Sequence, residues 1–393
     1  MSIWKGSHGR EQFSYTISSP ICYSNIGQCR LIEKAPKIGG GGYRPSLIKC
    51  FVVAFPMALV VGFRSSSVGY DTIRYIENSY RLLANLPATE FLFTGLVKLT
   101  HWICGGQSYT LMLTSFAFIS IVTPIYAVTR LEDEHDNTMF VFLFGLVFFL
   151  CTTDQFRQMI AVGFVALAVV YCQQNRYVAC IVSTILGFGF HNTAILGMLM
   201  YVFCRIVTST KTTTLIIKAG QVRLLYLKTS LLQVFTIIIG IVVTVFLFNN
   251  LDLLKHLLAT FLPSYTKYLD RYLNISEIGM GWILDLMVMM PLLFMGRDMK
   301  NNKERACYLF SLTAIPIRFF GYLSYFISRM MYFPQLVMLL LYSKLMVRER
   351  DYAGIRHSRK EYMLYAFSIA FFIIKYVMRN EHGAFPYVFW WNA

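Results

Sequence analysis

The fold is decided by residues 151–198, which read CTTDQFRQMIAVGFVALAVVYCQQNRYVACIVSTILGFGFHNTAILGM. Apolar runs of helical length alternate here with polar turns of only a few residues, QQNR at 173–176 and HNT at 191–193. Because the runs carry almost no charge, this pattern is typical of helices that cross a bilayer. The stretch therefore predicts a series of closely connected transmembrane helices.

The composition of the whole chain agrees with this interpretation. Of its 393 residues, 56% are hydrophobic and only 14% are charged, whereas roughly a quarter of the residues in a soluble domain are charged. We predict an all-α fold, a polytopic integral membrane bundle of about 11 transmembrane helices. The predicted spans cover residues 46–63, 107–129, 137–152, 157–174, 177–191, 192–207, 229–250, 279–296, 305–325, 329–346 and 361–378.

Two segments are predicted to differ from these spans. Residues 91–104 form a shorter apolar run, interrupted by Lys98 and His101, which favours a re-entrant or interfacial helix. Residues 1–45 are polar and contain four consecutive glycines. They are expected to be a disordered tail or residues upstream of a wrongly assigned start site, and these two interpretations stay open. Residues 46–393 form the single transmembrane domain.

The charge of +16 is explained by topology signals, and we expect no binding of nucleic acid. Basic residues concentrate in loops 205–228, 297–305 and 344–360, which the positive-inside rule places in the cytoplasm. The nine cysteines are scattered and form no C-x-x-C pair. We therefore expect neither a disulfide framework nor a metal site, and the absence of a paired acidic motif on the opposite face favours metal-independent chemistry without a cofactor.

Counting spans from these loops places Arg64, Asp71, Arg157, His191 and Arg329 together on the non-cytoplasmic face. Each has an ordinary structural explanation. Asp71 is expected to cap a helix, Arg64 to be an interfacial anchor, and Arg329 to belong to an aromatic–basic girdle. Their shared face is what makes them candidates for a reaction site.

Asp154, Arg157 and Gln158 are spaced so that they share one face of a helix. Asp154 is expected to cap this helix and to pair with Arg157. That leaves Gln158 unexplained at a depth where polar groups need partners. A further stretch at 265–272, YTKYLDRY, contains Arg271 among tyrosines, and suits either sugar binding or an interfacial aromatic belt.

Five short motifs, taken in order, resemble those of the EpsG family, the Wzy-like polymerases of exopolysaccharide, capsule and O-antigen. Their order and spacing agree with the family over residues 46–393, although the family usually has one more span before Arg64. The motifs are R-x-x-x-x-G-x-D-T-x-x-Y at Arg64 to Tyr75, F-R-Q-x-I-A at Phe156 to Ala161, F-H-N-T-A at Phe190 to Ala194, S-R-x-x-Y-F at Ser328 to Phe333, and the aromatic element at Pro386 to Trp390.

The resemblance implies a GT-C-like enzyme that polymerises undecaprenyl-diphosphate-linked oligosaccharide repeat units. The reaction would take place at the outer face of a bacterial inner membrane, with membrane lipid, a chain-length regulator and a flippase as partners. Arginines suit the diphosphate leaving group, and the acceptor hydroxyl needs a general base. His191 and Asp71 both stay open as that base.

The residues expected in this site fall into two groups. The catalytic candidates are His191, Asp71, Arg157 and Arg329. The candidates for substrate binding are Arg64, Gln158, Tyr75, Arg271 and Tyr332.

Two other functions compete with polymerisation. A flippase or transporter of lipid-linked oligosaccharide would also have many spans and a cationic cavity, but it needs charges that reach both faces. A membrane O-acyltransferase acting on the same glycan would use a catalytic histidine, but it leaves Arg157, Gln158 and Arg329 without a role.

Overall fold

The structure of the protein is a computed structural model, and it describes residues 47–208, 213–219, 222–229, 256, 260, 281–296, 299–321, 325–354 and 357–392. The predicted span at 229–250, the tail at 1–45 and the 265–272 stretch with Arg271 lie outside the described residues, except for residue 229 itself.

The first half of the described chain is a succession of helices. The short helix α2 continues into a π-helical segment, Tyr75–Arg81. The helices of this half are α1 (Leu47–Gly62), α2 (Thr72–Arg74), α3 (Phe91–Cys104), α4 (Thr110–Thr129), α5 (Asn137–Val147), α6 (Cys151–Asp154), α7 (Phe156–Gln173), α8 (Tyr177–Phe190) and α9 (Thr193–Val207).

The second half contains a small hairpin followed by further helices. The strands β1 (Thr213–Ala219) and β2 (Val222–Thr229) pair antiparallel. All of their residues except Thr229 belong to the predicted loop 205–228. The last helix continues into a π-helical segment, Phe372–Met378. The helices are α10 (Gly281–Leu293), α11 (Asn302–Leu312), α12 (Ala314–Phe320), α13 (Tyr325–Met330), α14 (Tyr332–Ala353) and α15 (Arg359–Phe371).

The helical membrane fold is confirmed, and the count of about 11 spans stays a prediction. Among the residues that the structure describes, four helices are long and apolar enough to cross a bilayer, and several shorter apolar helices accompany them. The predicted span at 305–325 corresponds to α11 and α12, which meet at Thr313 in a helical backbone conformation. The four long helices are Thr110–Thr129, Phe156–Gln173, Ile327–Ala353 and Arg359–Met378.

Helix α7 lies at the centre of the first half of the bundle and packs against α4, α8, α9 and α14. Small residues permit the close approach. An added Cβ at Gly163 would meet the Pro124 ring at 3.0 Å, and one at Gly187 would meet the backbone oxygen of Ala161 at 3.4 Å. Because α7 is surrounded by other helices, polar residues at its first turn lie inside the protein and not on its lipid-facing surface.

Polar caps begin several of the other helices. The Asp136 side chain accepts a hydrogen bond from the Met139 amide at the start of α5. Ser358 and Glu361 form a reciprocal capping box at the start of α15, which satisfies two backbone donors that a helix start leaves free. Both caps lie at the end of the bundle that carries the predicted cytoplasmic loops.

Loops predicted for the same side of the membrane contact each other. At one end, Lys344 forms an ion pair with Glu304 at 2.7 Å and a shorter one with Asp133. At the other end, the C-terminal segment pairs with the chain just after α1. There the Ser65 amide donates to the Val388 carbonyl at 2.8 Å, and the Trp390 amide donates to the Phe63 carbonyl at 3.0 Å.

Candidate active site

A carboxylate–histidine pair forms the centre of the candidate site. Glu90 lies directly before α3, and His191 lies in the tight turn between α8 and α9. Nδ1 of His191 lies 2.6 Å from Oε1 of Glu90. Only 5% of the Glu90 side chain is exposed, against 19% for His191. The bond therefore lies beneath an imidazole that solvent can still reach.

The protonation states of this pair follow from its surroundings. Burial alone would raise the pKa of Glu90, but the hydrogen bond from His191 and the charge of Arg157 outweigh it and lower that pKa. Burial lowers the pKa of His191, and Arg157 and Arg329 act in the same direction against the opposing effect of Glu90. At neutral pH an ionised Glu90 can only accept, so Nδ1 carries the imidazole hydrogen and Nε2 keeps its lone pair.

Arg157, in the first turn of α7, is held on the other side of the same carboxylate. Its Nη1 donates to Oε2 of Glu90 at 2.6 Å, and its Nε donates to the Tyr75 hydroxyl at 3.0 Å. The guanidinium also lies over the rings of Tyr75 and Phe93. A quarter of the side chain remains exposed, and these contacts leave Nη2 with two hydrogens for a ligand.

Arg329 is connected to the same region through α7. The Nε2 group of Gln158 donates to the backbone oxygen of Arg329 at 2.9 Å. Nη2 of Arg329 lies 3.5 Å from Oδ2 of Asp71. About a quarter of the Arg329 side chain is exposed, as for Arg157. The structure thus brings together two partly exposed arginines, each close to a carboxylate.

The capping role expected of Asp71 is wrong. Asp71 precedes α2, but its side chain makes no capping hydrogen bond. Its carboxylate faces Arg329 instead, and its backbone amide donates to Oδ1 of Asp154 at 2.9 Å. Burial and the nearby Asp154 charge raise the pKa of Asp71, although Arg329 opposes this.

The anchoring role expected of Arg64 is also wrong, because its side chain is completely buried. Its guanidinium donates to the Val61 oxygen at 2.6 Å, to the Val68 oxygen at 3.3 Å and to the Thr153 oxygen at 2.7 Å. It also donates to Oγ1 of Thr72 at 3.3 Å. Arg64 therefore joins the end of α1 to α6, the short helix that precedes α7.

The expected pairing of Asp154 with Arg157 is replaced by a longer-range contact. Oδ2 of Asp154 lies 3.2 Å from Nδ1 of His382, in the C-terminal segment. Tyr332 is buried, and its ring packs edge-on against Phe148 with centroids 6.1 Å apart. The structure therefore brings Tyr75 into contact with the arginine–carboxylate cluster, and the Tyr332 ring packs on Phe148.

Sequence reasoning missed Glu90 and also a second charged group within the bundle. Nζ of Lys375 lies 2.8 Å from Oδ1 of Asp285, and Nε of Arg318 lies 2.5 Å from Oδ2 of the same carboxylate. Asp285, Lys375 and Arg318 are each a single charge in an apolar stretch. A charge in such a place indicates that the residue has a partner of opposite charge within the membrane. Nothing in the spacing identifies that partner.

Metal dependence stays a prediction for this site. Across the ranges that the structure describes, no three His, Cys, Asp or Glu side chains are grouped so that they would hold a metal ion. The described cluster contains the imidazole of His191, the carboxylates of Glu90 and Asp71 and the guanidinium groups of Arg157 and Arg329. This set is suited to proton transfer beside an anionic ligand.

The bundle of apolar helices, with its cluster of partly exposed charges, defines a multi-pass membrane protein with a candidate site for an anionic substrate. A sequence profile of the EpsG family matches residues 47–389. The chain therefore belongs to the EpsG family, and it is a polymerase-like membrane protein of polysaccharide biosynthesis. No curated protein and no solved structure matches the chain.

Proposed function

We propose that this protein polymerises undecaprenyl-diphosphate-linked oligosaccharide repeat units at the non-cytoplasmic face of a bacterial inner membrane. The observation that carries the proposal is the placement of Glu90 between His191 and Arg157, at 2.6 Å from each. This arrangement puts a proton acceptor beside a guanidinium group that is already oriented.

The reaction is a glycosyl transfer with a lipid diphosphate as leaving group. The acceptor hydroxyl attacks the anomeric carbon of the growing glycan, and the bond from that carbon to the diphosphate oxygen breaks. The electron pair stays on the diphosphate, and the hydroxyl proton passes to Nε2 of His191. Glu90 is the positioning residue, since it fixes the tautomer and stabilises the imidazolium that forms.

Arg157 and Arg329 bind the diphosphate and stabilise the charge that develops on it. Their partial exposure of 25% and 24% supports this role, because a ligand can reach both side chains. Tyr75 positions Arg157, and Gln158 positions the backbone of Arg329. Arg64 supports the site and does not touch the substrate.

His191 is the general base in preference to Asp71. A carboxylate that faces Arg329 at 3.5 Å serves best by holding that arginine, whereas neutral His191 has Nε2 available. Sugar contacts by Tyr332 and Arg271 stay predictions, as do the chain-length regulator and the flippase as partners.

The test is reconstitution of the purified protein in liposomes with its native lipid-diphosphate-linked repeat unit. A ladder of longer glycans is expected from the unaltered protein. His191→Ala should form no ladder, whereas Asp71→Asn should form more polymer than His191→Ala. Arg359→Ala is the matched control, because Arg359 is an exposed cation at the far end of the bundle. Translocation of glycan without any ladder would favour the flippase, and transfer of acyl groups alone would favour the acyltransferase.

A further inference from the structure

An apolar cleft of about 530 Å³ runs between α8 and α9. Both helices pack more extensively against α7 than against each other, so Cys172 of α7 forms part of the cleft floor. Ile185 of α8 and Val202 of α9 belong to its walls, and both are substantially exposed on the outer surface of the protein. In a bilayer this cleft opens toward lipid.

The length of the cleft matches one leaflet of the membrane. Tyr177 and Phe188 line it at opposite ends of α8. At a rise of about 1.5 Å per residue they lie about 16 Å apart, which is half of the roughly 30 Å hydrocarbon core. The cleft therefore suits a single acyl chain better than a polyprenyl chain, which is longer than one leaflet is deep.

Arg205 connects the cleft to a second, polar cavity. It lines the inner end of the apolar cleft, and it also lines a cavity of about 720 Å³ that includes Lys300 and Lys303 of the predicted cytoplasmic side. An arginine at the end of a lipid-facing helix is often only an interfacial anchor. Arg205 differs because it stands where an apolar cleft meets a polar cavity.

The electrostatic balance of the polar cavity favours an anion. The acidic groups Glu304 and Asp133 are each paired with Arg348, at 2.5 Å and 3.0 Å, and each also contacts Lys344. The charges of both carboxylates are therefore already neutralised by Arg348 and Lys344 of α14. Lys300, Lys303 and Arg305 line the same cavity as Arg205, and Glu132 is the remaining acidic residue of its lining.

We propose that the cleft and the cavity together bind one anionic phospholipid of the inner leaflet. Its acyl chain lies between α8 and α9, and its phosphate contacts Arg205 at the mouth of the polar cavity. Basic pockets between membrane helices on the cytoplasmic side bind anionic head groups by the same chemistry. Because α8 and α9 are joined by the turn that contains His191, the bound lipid would brace the two helices that position this residue.

Native mass spectrometry of the purified full-length protein tests the proposal with phosphatidylglycerol and phosphatidylcholine of identical acyl chains. One phosphatidylglycerol should be retained in preference to phosphatidylcholine. Arg205→Gln should weaken retention about fivefold, the effect of one basic side chain near an anionic surface. Arg359→Gln removes an exposed charge at the same end of the bundle, outside both cavities, and should retain the lipid.

A second pair of variants tests the acyl-chain site without altering charge. Val202→Trp fills the cleft and should displace the lipid, whereas Val178→Trp, on the exposed surface of α8 but outside the cleft lining, should not. Equal retention of phosphatidylcholine, equal losses in Arg205→Gln and Arg359→Gln, or preferential retention of a polyprenyl phosphate would each overturn the proposal. The assay contains no glycan, so its failure is separate from failure of the polymerisation assay.

Discussion

Glu90 and His191, which are 101 residues apart in the sequence, meet through a hydrogen bond of 2.6 Å between Oε1 and Nδ1. The bond connects the start of α3 to the turn between α8 and α9. It gives the imidazole a defined tautomer, so the reactivity of His191 depends on a residue in another part of the chain.

This dependence predicts a specific pH profile. His191 accepts a proton only when it is neutral, so polymerisation should fall as the pH drops through the pKa of His191. Burial lowers that pKa, and the acidic limb should therefore lie below the ordinary value of roughly 6.5. Initial rates of glycan extension across the pH range measure it. A limb at or above the ordinary value would contradict the assignment of His191 as base.

Glu90→Gln should change this profile in a way that a purely structural role would not. The Glu90 charge raises the pKa of His191 against the effect of burial. Without that charge the acidic limb should move to still lower pH, while the maximal rate falls because the imidazolium loses its partner. The rate of His191→Ala should be about 10²–10⁴-fold lower, and its pH profile should lack the acidic limb. An unshifted limb in Glu90→Gln would remove Glu90 from the mechanism.

Arg157→Lys should be nearly as damaging as Arg157→Ala, although lysine keeps the charge. Arg157 donates from Nε to Tyr75 and from Nη1 to Glu90, and a single ammonium group cannot reproduce this planar geometry together with a diphosphate contact. Polymer length and initial rate are the measurements, with correct membrane insertion verified for each variant. Full activity of Arg157→Lys would show that only charge is needed there.

The helices around the site could be predicted from the sequence with good accuracy. The predicted spans at 177–191 and 192–207 end within one residue of α8 and α9, because apolar runs and a polar turn are local properties. Counting the spans from the basic loops also placed His191 and Arg157 at one end of the bundle. This inference requires only the number of membrane crossings and not the packing of the helices.

The partners of the charged residues could not be predicted, because they come from distant parts of the chain. Glu90 reads locally as an ordinary acidic residue before an apolar run. Asp154 contacts His382, which is 228 residues away in the sequence. Helical spacing alone predicts that Asp154 pairs with Arg157. Side-chain periodicity describes one helix at a time, so it contains no information about contacts between helices.

Arg64 should be required for stability rather than for substrate contact. Replacing it with alanine leaves the Val61 and Thr153 carbonyl oxygens without their donor inside the protein. Losing charge-assisted hydrogen bonds of this kind costs about 3 kcal/mol or more. Thermal unfolding in detergent should show a large decrease for Arg64→Ala and little change for the partly exposed Arg329→Ala. The reverse order would assign Arg64 to the substrate site.

The buried triad of Asp285, Lys375 and Arg318 allows a test of intramembrane charge balance. Asp285→Asn leaves two cations without their shared carboxylate, and breaking a buried pair in this way costs about 3–5 kcal/mol. Lys375→Met should cost less, because Arg318 still neutralises Asp285 at 2.5 Å.

The double variant Asp285→Asn/Lys375→Met should be more stable than Asp285→Asn alone, since it removes one of the two cations that lose the Asp285 carboxylate in the single variant. Thermal unfolding of the two single variants and the double variant completes the cycle. Additive losses would mean that Lys375 and Asp285 do not stabilise each other. Recovery in the double variant would show that the pair holds α10 against the π-helical segment at Phe372–Met378, where Lys375 lies.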